Sequence, residues 1–142
     1  MGTIKNSPFK LDQFIVEEFS ISRKPTKQGK IDFGINPSGT IDDTNKVFKL
    51  TLNVYIKDSN ESFDIKITAL GFFEFKLVRS VESLSNYFYT NAPAIIFPYI
   101  RAYISSITAL SGLKAINLPV MNLSSLKEDL KANTSVEVIS AP

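Results

Sequence analysis

The residue types that most often perform catalysis are missing from this 142-residue chain, which contains neither histidine nor cysteine. Thiol nucleophiles and thiolate metal sites are therefore excluded, and the commonest general base and metal ligand is lost. Two carboxylate pairs remain, Glu17–Glu18 and Asp42–Asp43. Neighbouring strand residues point to opposite faces, so the first pair cannot act together, and the second falls in a loop where solvation is expected. The sequence thus predicts no enzyme, no cofactor and no metal site.

The charge pattern gives little support to a nucleic-acid partner. Sixteen basic and fourteen acidic residues leave a net charge of +2. The densest basic cluster, Arg23, Lys24, Lys27 and Lys30, is typical of a solvated loop rather than of the basic stripe of a nucleic-acid binder. Residues 92–113 are too interrupted to cross a membrane, and residues 1–9 lack the apolar centre of a signal peptide. We therefore expect a cytoplasmic protein without membrane insertion.

The first half of the chain has the periodicity of β-strands. Apolar residues alternate cleanly over 31–35, 48–57 and 63–69. Over 9–22 the apolar phase changes twice, near Gln13 and at Glu17–Glu18, which predicts bulges. The run at 36–39 (Asn-Pro-Ser-Gly) predicts a turn or loop. Alternation fails at Phe72, Phe73 and Phe75, which occupy both faces, and Gly71 is expected to mark a bend.

The second half has helical periodicity. We expect a short helix over 80–88, a longer one from Asn91 to Gly112, and a last helix over 125–132. Pro98 is expected either to kink the longer helix or to mark a later start for it. Ser125 and Glu128 have the spacing of a capping box. Residues 133–142 are expected to be a mobile tail. Because strands and helices are segregated, the prediction is one α+β domain over 1–142: a four-stranded antiparallel sheet, a long helix and a short C-terminal helix.

Residues 91–123 read NAPAIIFPYIRAYISSITALSGLKAINLPVMNL. This stretch resembles the SecB chaperone family, whose main helix carries a P-x-x-[LI]-F-P-Y-x-R run followed by an [IL]-N-L-x-P-V-[ND] connector. The matching residues are Pro93, Ile96, Phe97, Pro98, Tyr99, Arg101, Ile116, Asn117, Leu118, Val120 and Asn122. The connector departs from the family pattern, because its proline follows Leu118 directly and one residue is missing. The order of strands and helices also agrees with the family over nearly the whole chain.

The resemblance implies an ATP-independent chaperone that holds unfolded or extended polypeptides in apolar grooves. The candidate client-binding residues are Phe72, Phe73, Tyr87, Phe88, Leu123, Leu126 and Leu130. For each of them, ordinary core packing is the alternative. A protein-export role is one possible use of such binding. A dedicated chaperone of one partner, such as an antitoxin, and a carrier of a small apolar ligand remain as alternatives.

The resemblance also implies a homotetramer, a dimer of dimers. Independently, the long helix carries apolar residues on more than one face, which indicates a second buried contact in a dimer or tetramer. The candidate interface residues are Ile96, Tyr99, Ile100, Arg101, Tyr103, Ile104 and Ile107. Arg101 is expected to make an interface or structural contact rather than a catalytic one.

Export members of the family dock the motor protein SecA through acidic residues on the outer sheet face. Glu18 keeps one of these positions, whereas Ser22 and Lys66 replace two others. Lys66 would place a positive charge on the exposed side of its strand. We therefore expect weak or absent binding to SecA.

Overall fold

The computed structural model describes residues 9–76 and 81–139, with the side chains of 81–87 excepted. Within these residues the chain forms five strands and two helices. In chain order they are β1 (Phe9–Arg23), β2 (Ile31–Asp42), β3 (Val47–Asp58), β4 (Phe63–Phe75), α1 (Val81–Ala109), α2 (Leu126–Ala132) and β5 (Thr134–Val136). The strands form a single sheet in the order β1-β4-β3-β2-β5. The α+β class is confirmed, but the sheet has five strands rather than the predicted four.

The phase changes predicted in β1 are confirmed as irregularities of its pairing with β4. The register shifts between Leu11 and Gln13, and again between Val16 and Glu18. Each extra residue turns the following side chains over, so the apolar residues before and after each shift share one face of the sheet. We call this the inner face, because α1 packs against it, and the opposite face the outer face.

The inner face of the two central strands is the centre of the core. Phe48, Leu50, Leu52 and Val54 of β3 are all fully buried. Ile65, Ile67, Ala69 and Phe73 of β4 lie on the same face and are at most 2% exposed. Gly71 lies on this face too, and a Cβ atom there would meet Ile96 Cγ2 of α1 at 2.8 Å. The glycine therefore permits the close approach of helix and sheet.

The turn predicted at residues 36–39 is wrong, because these residues belong to β2. The real turn lies at residues 43–46. Pro37 is tolerated because its missing N–H faces away from β3. This is the side on which Gly39 N–H donates to the Asn133 carbonyl (3.1 Å), and β5 reaches β2 only from Gly39 onward. Proline at such an edge position costs the sheet no ladder hydrogen bond.

The two helices predicted between residues 80 and 112 form one continuous helix, α1. Pro93 and Pro98 both lie inside it. Pro98 and Ala94, whose carbonyl loses its hydrogen bond to residue 98, are exposed, so water can satisfy that carbonyl. The helix ends at Ala109, and Gly112 follows with the left-handed φ of 82°.

The C-terminal helix is confirmed, although its predicted capping box does not form. Ser125 makes no side-chain capping hydrogen bond. Leu126 and Leu130 are buried against the sheet and α1, as expected for the apolar edge of this helix.

The mobile tail predicted from residue 133 needs correction at residues 134–136, which form β5. This strand pairs in parallel with β2, Gly39 opposite Thr134 and Ile41 opposite Val136. Residues 140–142 lie outside the described residues. The tail shows no long apolar alternation, so its pairing could not be read from periodicity.

Candidate functional site

Helix α1 runs along the middle of the inner face and leaves apolar side chains partly uncovered on both sides. On one side lies the β1 strip, which consists of Leu11, Phe14, Val16, Phe19 and Ile21. On the other lies the β2 strip, which consists of Ile31, Phe33 and Ile35. All eight side chains pack against the core yet remain half-buried rather than enclosed.

Two tyrosines of α1 lie over the β1 strip. The rings of Phe14 and Tyr99 stack with centroids 5.4 Å apart, and those of Phe19 and Tyr103 meet edge to face at 5.2 Å. Tyr99 remains 51% exposed. A tyrosine suits such a surface because its ring is apolar while its hydroxyl can stay in water.

The β2 strip combines apolar side chains with an open backbone edge. Phe33 packs near Phe97 of α1, with ring centroids 6.3 Å apart. β5 covers the β2 edge only from Gly39 to Ile41, so in the described part of the chain Ile31, Phe33 and Ile35 direct their backbone groups to an edge without a neighbouring strand. The Phe33 N–H donates locally to Asp32 Oδ1 at 3.1 Å. This edge can therefore pair with an extended chain while the side chains contact it.

Arg101 holds the connector that follows α1. Its Nε donates to the Leu118 carbonyl at 3.2 Å, and Ser105 Oγ, one turn further along, lies 2.7 Å from Asn117 Oδ1. The Thr108 hydroxyl donates to the Ile104 carbonyl and accepts the Ile116 N–H at 2.8 Å. These bonds fasten residues 116–118 along α1. Within the described chain Arg101 thus has a structural contact, one of the two roles expected for it.

The candidate client-binding residues are mostly enclosed in this conformation. Phe73, Phe88 and Leu130 are fully buried, and Phe88 stacks on Phe48 with centroids 4.6 Å apart. Phe72, Leu123 and Leu126 are 8–9% exposed. Phe72 lies on the outer face, where Lys49 Nζ is 6.0 Å from its ring centroid. The side chain of Tyr87 lies outside the described residues. The structure therefore does not bring this set together as one open groove.

The candidate oligomer-interface residues divide into two groups. Ile96, Ile100 and Ile104 are fully buried on the side of α1 that faces the sheet, so they have no surface left for contact with a second copy of the chain. Tyr99, Tyr103 and Ile107 keep exposed or half-exposed surface. Tyr99 and Tyr103 are also the residues that lie over the β1 strip.

Arg23, the first residue of the basic cluster, is committed to the fold. Its guanidinium donates to the Thr108 carbonyl (3.3 Å), the Ser111 hydroxyl (2.8 Å) and the Lys114 carbonyl (2.7 Å). A cation at this place also complements the negative end of the α1 dipole. Arg23 is therefore not available to bind a phosphate.

Two buried carboxylates, those of Asp58 and Asp42, accept hydrogen bonds that stabilise turns. Burial raises the pKa of Asp58, but hydrogen bonds from Gly29 N–H, the Ser62 hydroxyl and the Phe63 and Ser62 N–H groups outweigh it and lower this pKa to about 2. Hydrogen bonds from Ile139 N–H and then from Asn45, opposed by burial, lower the pKa of Asp42 to about 2. Both carboxylates are thus held ionised by the backbone around them.

The outer face carries charges of both signs. Glu18 and Lys66 are exposed there, and Lys66 lies on the same side of β4 as Asp64 and Thr68, as the sequence predicts. An open cleft of about 560 Å³ is lined by ten residues, namely Ser20, Ile21, Ser22, Lys24, Lys57, Asp58, Glu61, Phe63, Asp64 and Lys66. Such a charged lining differs from the mainly apolar walls of small-ligand sites.

The described residues offer neither a metal site nor a membrane span. Residues 9–76 and 81–139 contain no group of three acidic side chains placed to hold a metal ion. Neither α1 nor α2 combines the length and the hydropathy that a bilayer crossing needs. What the described surface offers is apolar strips beside an open strand edge, which belong to the class of surfaces that can contact an extended polypeptide.

Comparison with known proteins agrees with this class. The family model described as preprotein translocase subunit SecB matches residues 14–133. The chain therefore belongs to the SecB family, whose proteins are chaperones and not enzymes.

The individual proteins that resemble this chain have low sequence identity to it. An uncharacterized protein of Methanocaldococcus jannaschii is 27% identical over 131 residues, which cover 86% of this chain and 84% of that protein. The SecB-like chaperone of Mycobacterium tuberculosis, solved in complex with a ChAD peptide from the HigA1 antitoxin, has the same fold. It superposes with a TM-score of 0.66 at 16% identity, over 80% of this chain and 87% of that one. A Streptococcus agalactiae protein of unknown function gives a TM-score of 0.47 at 14% identity, over 79% and 97% of the two chains.

The β2 strip is not among the site residues predicted from the sequence. The signal was present, because Ile31, Phe33 and Ile35 alternate cleanly. What could not be read was that α1 would leave them half-covered and that β2 would lie next to an edge. Both facts depend on the strand order and on the path of the helix.

Proposed function

We propose that the protein is an ATP-independent chaperone that holds unfolded or extended polypeptides in the cytoplasm. The observation that carries this proposal is the β2 strip beside the open edge of β2. Apolar side chains there can cover the apolar side chains of a client, and the backbone groups that face no neighbouring strand in the described chain can pair with its main chain. Recognition through the main chain is independent of sequence, which suits a protein with many clients.

The proposal is tested by substitutions in the β2 strip. Phe33→Ser and Ile35→Ser change half-exposed side chains, so the fold should tolerate them while apolar contact with a client is lost. Tyr55→Ser is the matched control, because Tyr55 is 43% exposed on the outer face, opposite Gly34 of β2. Affinity for reduced and carboxymethylated α-lactalbumin, a permanently unfolded polypeptide, is measured by fluorescence anisotropy. We expect a loss of about tenfold for the double variant and none for the control.

The proposed function would be contradicted if the wild-type protein did not bind this polypeptide, or if the β2-strip variant bound it as well as the control did. Circular dichroism and thermal unfolding of each variant separate lost binding from lost folding.

A second candidate is a dedicated chaperone of one partner, such as an antitoxin. It is favoured by the fold shared with the Mycobacterium tuberculosis chaperone, which was solved in complex with an antitoxin peptide. Such a chaperone should bind one peptide from its host far more tightly than carboxymethylated α-lactalbumin. Mass spectrometry of polypeptides that co-purify from the native host, together with the identity of the neighbouring genes, decides between one partner and many.

A further inference from the structure

The C-terminal segment, residues 133–139, is fastened to the edge of β2 by the parallel pairing of β5 and by further hydrogen bonds at and beyond both ends of that strand. The Asn133 carbonyl accepts Gly39 N–H (3.1 Å) and the Glu137 N–H donates to the Ile41 carbonyl (3.0 Å). The Ile139 N–H donates to Asp42 Oδ2 at 2.9 Å, and Asn133 Nδ2 donates to the Pro37 carbonyl at 3.4 Å. The segment is thus anchored to the sheet from one end to the other.

The same segment has little apolar packing of its own. Val136 and Val138 are each 70% exposed. Water can replace the hydrogen bonds of such a strand, so each one contributes only a modest net stabilisation. A short, exposed edge strand of this kind belongs to the least stable parts of a fold.

The segment is continuous with α2 and ties that helix to the sheet. The Thr134 hydroxyl donates to the Leu130 carbonyl at 2.6 Å, which joins the first residue of β5 to the last turn of α2. Leu123, Leu126 and Leu130, three of the candidate client-binding residues, are enclosed at 9%, 8% and 0% exposure while α2 stays in place. They can meet a client only if α2 moves.

The chain before α2 provides a place for such a movement. Arg101 fastens the connector to α1 as far as Leu118. Beyond it, Pro119 and Asn122 are exposed and Val120 is 82% exposed, while Met121 packs partly buried against the core. Residues 119–122 therefore separate a fixed part of the connector from α2.

We infer that residues 133–139 are a latch that holds α2 closed over the apolar side chains beneath it, and that release of the latch opens this surface to an extended polypeptide. The inference rests on the proposed chaperone function. A latch of this kind lowers the apparent affinity for a client by the fraction of molecules that are open. Locking it should weaken client binding, and loosening it should strengthen binding.

The lock is an engineered disulfide in the full chain. Thr40 and Ser135 are directly paired on neighbouring strands and point to the outer face, and the chain contains no other cysteine to interfere. Paired strand positions have the Cα separation that a disulfide needs. We expect the oxidised Thr40→Cys/Ser135→Cys protein to bind carboxymethylated α-lactalbumin about tenfold more weakly than the same protein after reduction. Asn36→Cys/Asn53→Cys, which joins β2 to β3 on the same face, is the control and should show no redox effect.

The loosened form is made by a single proline substitution, and a proline at the next residue is its control. Glu137→Pro removes the hydrogen bond to the Ile41 carbonyl, whereas Val138→Pro removes an N–H that points away from β2. We expect Glu137→Pro to bind the client about fivefold more tightly than the wild type, and Val138→Pro to match the wild type. Hydrogen exchange should show faster exchange at Gly39 N–H in Glu137→Pro only.

The outcomes separate the two proposals. If the wild type binds the client but neither the lock nor the loosened form changes the affinity, the latch is overturned and the chaperone function stands. If Gly39 exchanges faster in Glu137→Pro without any gain in affinity, the segment is mobile but does not control the site, and the latch is again overturned. If no form binds the client, the proposed function itself fails.

Discussion

Asp58 shows how one side chain can organise the end of a sheet. It is 4% exposed and accepts hydrogen bonds from Gly29, Ser62 and Phe63, which join the β1–β2 loop to the β3–β4 hairpin. Such a carboxylate favours the folded state only while it is ionised. Residues 58–60 are polar and separate two alternating runs, a pattern that gives no indication that one of them would be enclosed.

The pH dependence of stability should report this residue. The pKa of Asp58 is lowered from its usual 3.8 to about 2, so its contribution is complete above about pH 4 and is lost as the pH falls towards 2. Asp58→Asn should lower stability at pH 7 and flatten the loss between pH 4 and 2, leaving the part due to Asp42. Urea unfolding at several pH values measures this.

Asp64→Asn serves as the control for this prediction, because Asp64 is exposed on the next strand. An equal effect of the two substitutions would contradict a specific role for Asp58.

At the scale of elements, periodicity predicted what depends on neighbours in the chain. The alternation of β3 and β4 and both bulges of β1 are confirmed, because each follows from which side chains must reach the core. The turn predicted at residues 36–39 is wrong because a proline indicates a turn but can also lie in a strand at the edge of a sheet, as Pro37 does. Likewise β5 depends on a partner almost a hundred residues away, as the Ile139–Asp42 hydrogen bond shows. Edges and long-range partners are properties of the sheet and not of a local pattern.

The contact between α1 and β4 gives a test at this scale. Gly71→Ala places a methyl group 2.8 Å from Ile96 Cγ2, so helix and strand must separate. We expect a loss of about 1–3 kcal/mol in the free energy of unfolding. Gly34→Ala is the matched control, since its nearest neighbour would be Tyr55 Cβ at 3.9 Å, and should be neutral or stabilising by up to about 1 kcal/mol. Equal effects of the two substitutions would show that α1 does not pack this closely.

For the whole molecule, the surface left open along β1 predicts self-association. The β1 strip and Tyr99 form a half-exposed apolar surface along an edge strand of fifteen residues. We expect a tetramer, or at least a dimer, by light scattering at micromolar concentration. Tyr99→Glu should shift the protein to smaller species without unfolding it, because the side chain is half exposed. Val138→Glu, at the opposite edge of the sheet, is the control, and a monomeric wild type would refute the prediction.

The affinity for SecA is a second quantity that depends on the charge of the whole surface. Lys66 and Ser22 lie exposed on the outer face, where the export members are acidic, so we expect weak or absent binding to the host's SecA. Lys66→Glu with Ser22→Glu should strengthen binding, whereas Lys131→Glu, on α2, should not. Calorimetry at low and moderate salt measures this. Micromolar binding by the wild type that survives moderate salt would overturn the expectation.

The pairing of the first strand with the fourth also matters while the protein is being made. β1 cannot join the sheet until β4 has left the ribosome, and Arg23 finds its acceptor on Lys114 only ninety-one residues later. At about 5–20 residues per second, β1 waits for several seconds with Phe9, Phe14 and Phe19 uncovered. During that interval the nascent chain displays the kind of extended apolar segment that a chaperone binds. Finished copies of this protein are therefore expected to be able to hold their own unfinished ones.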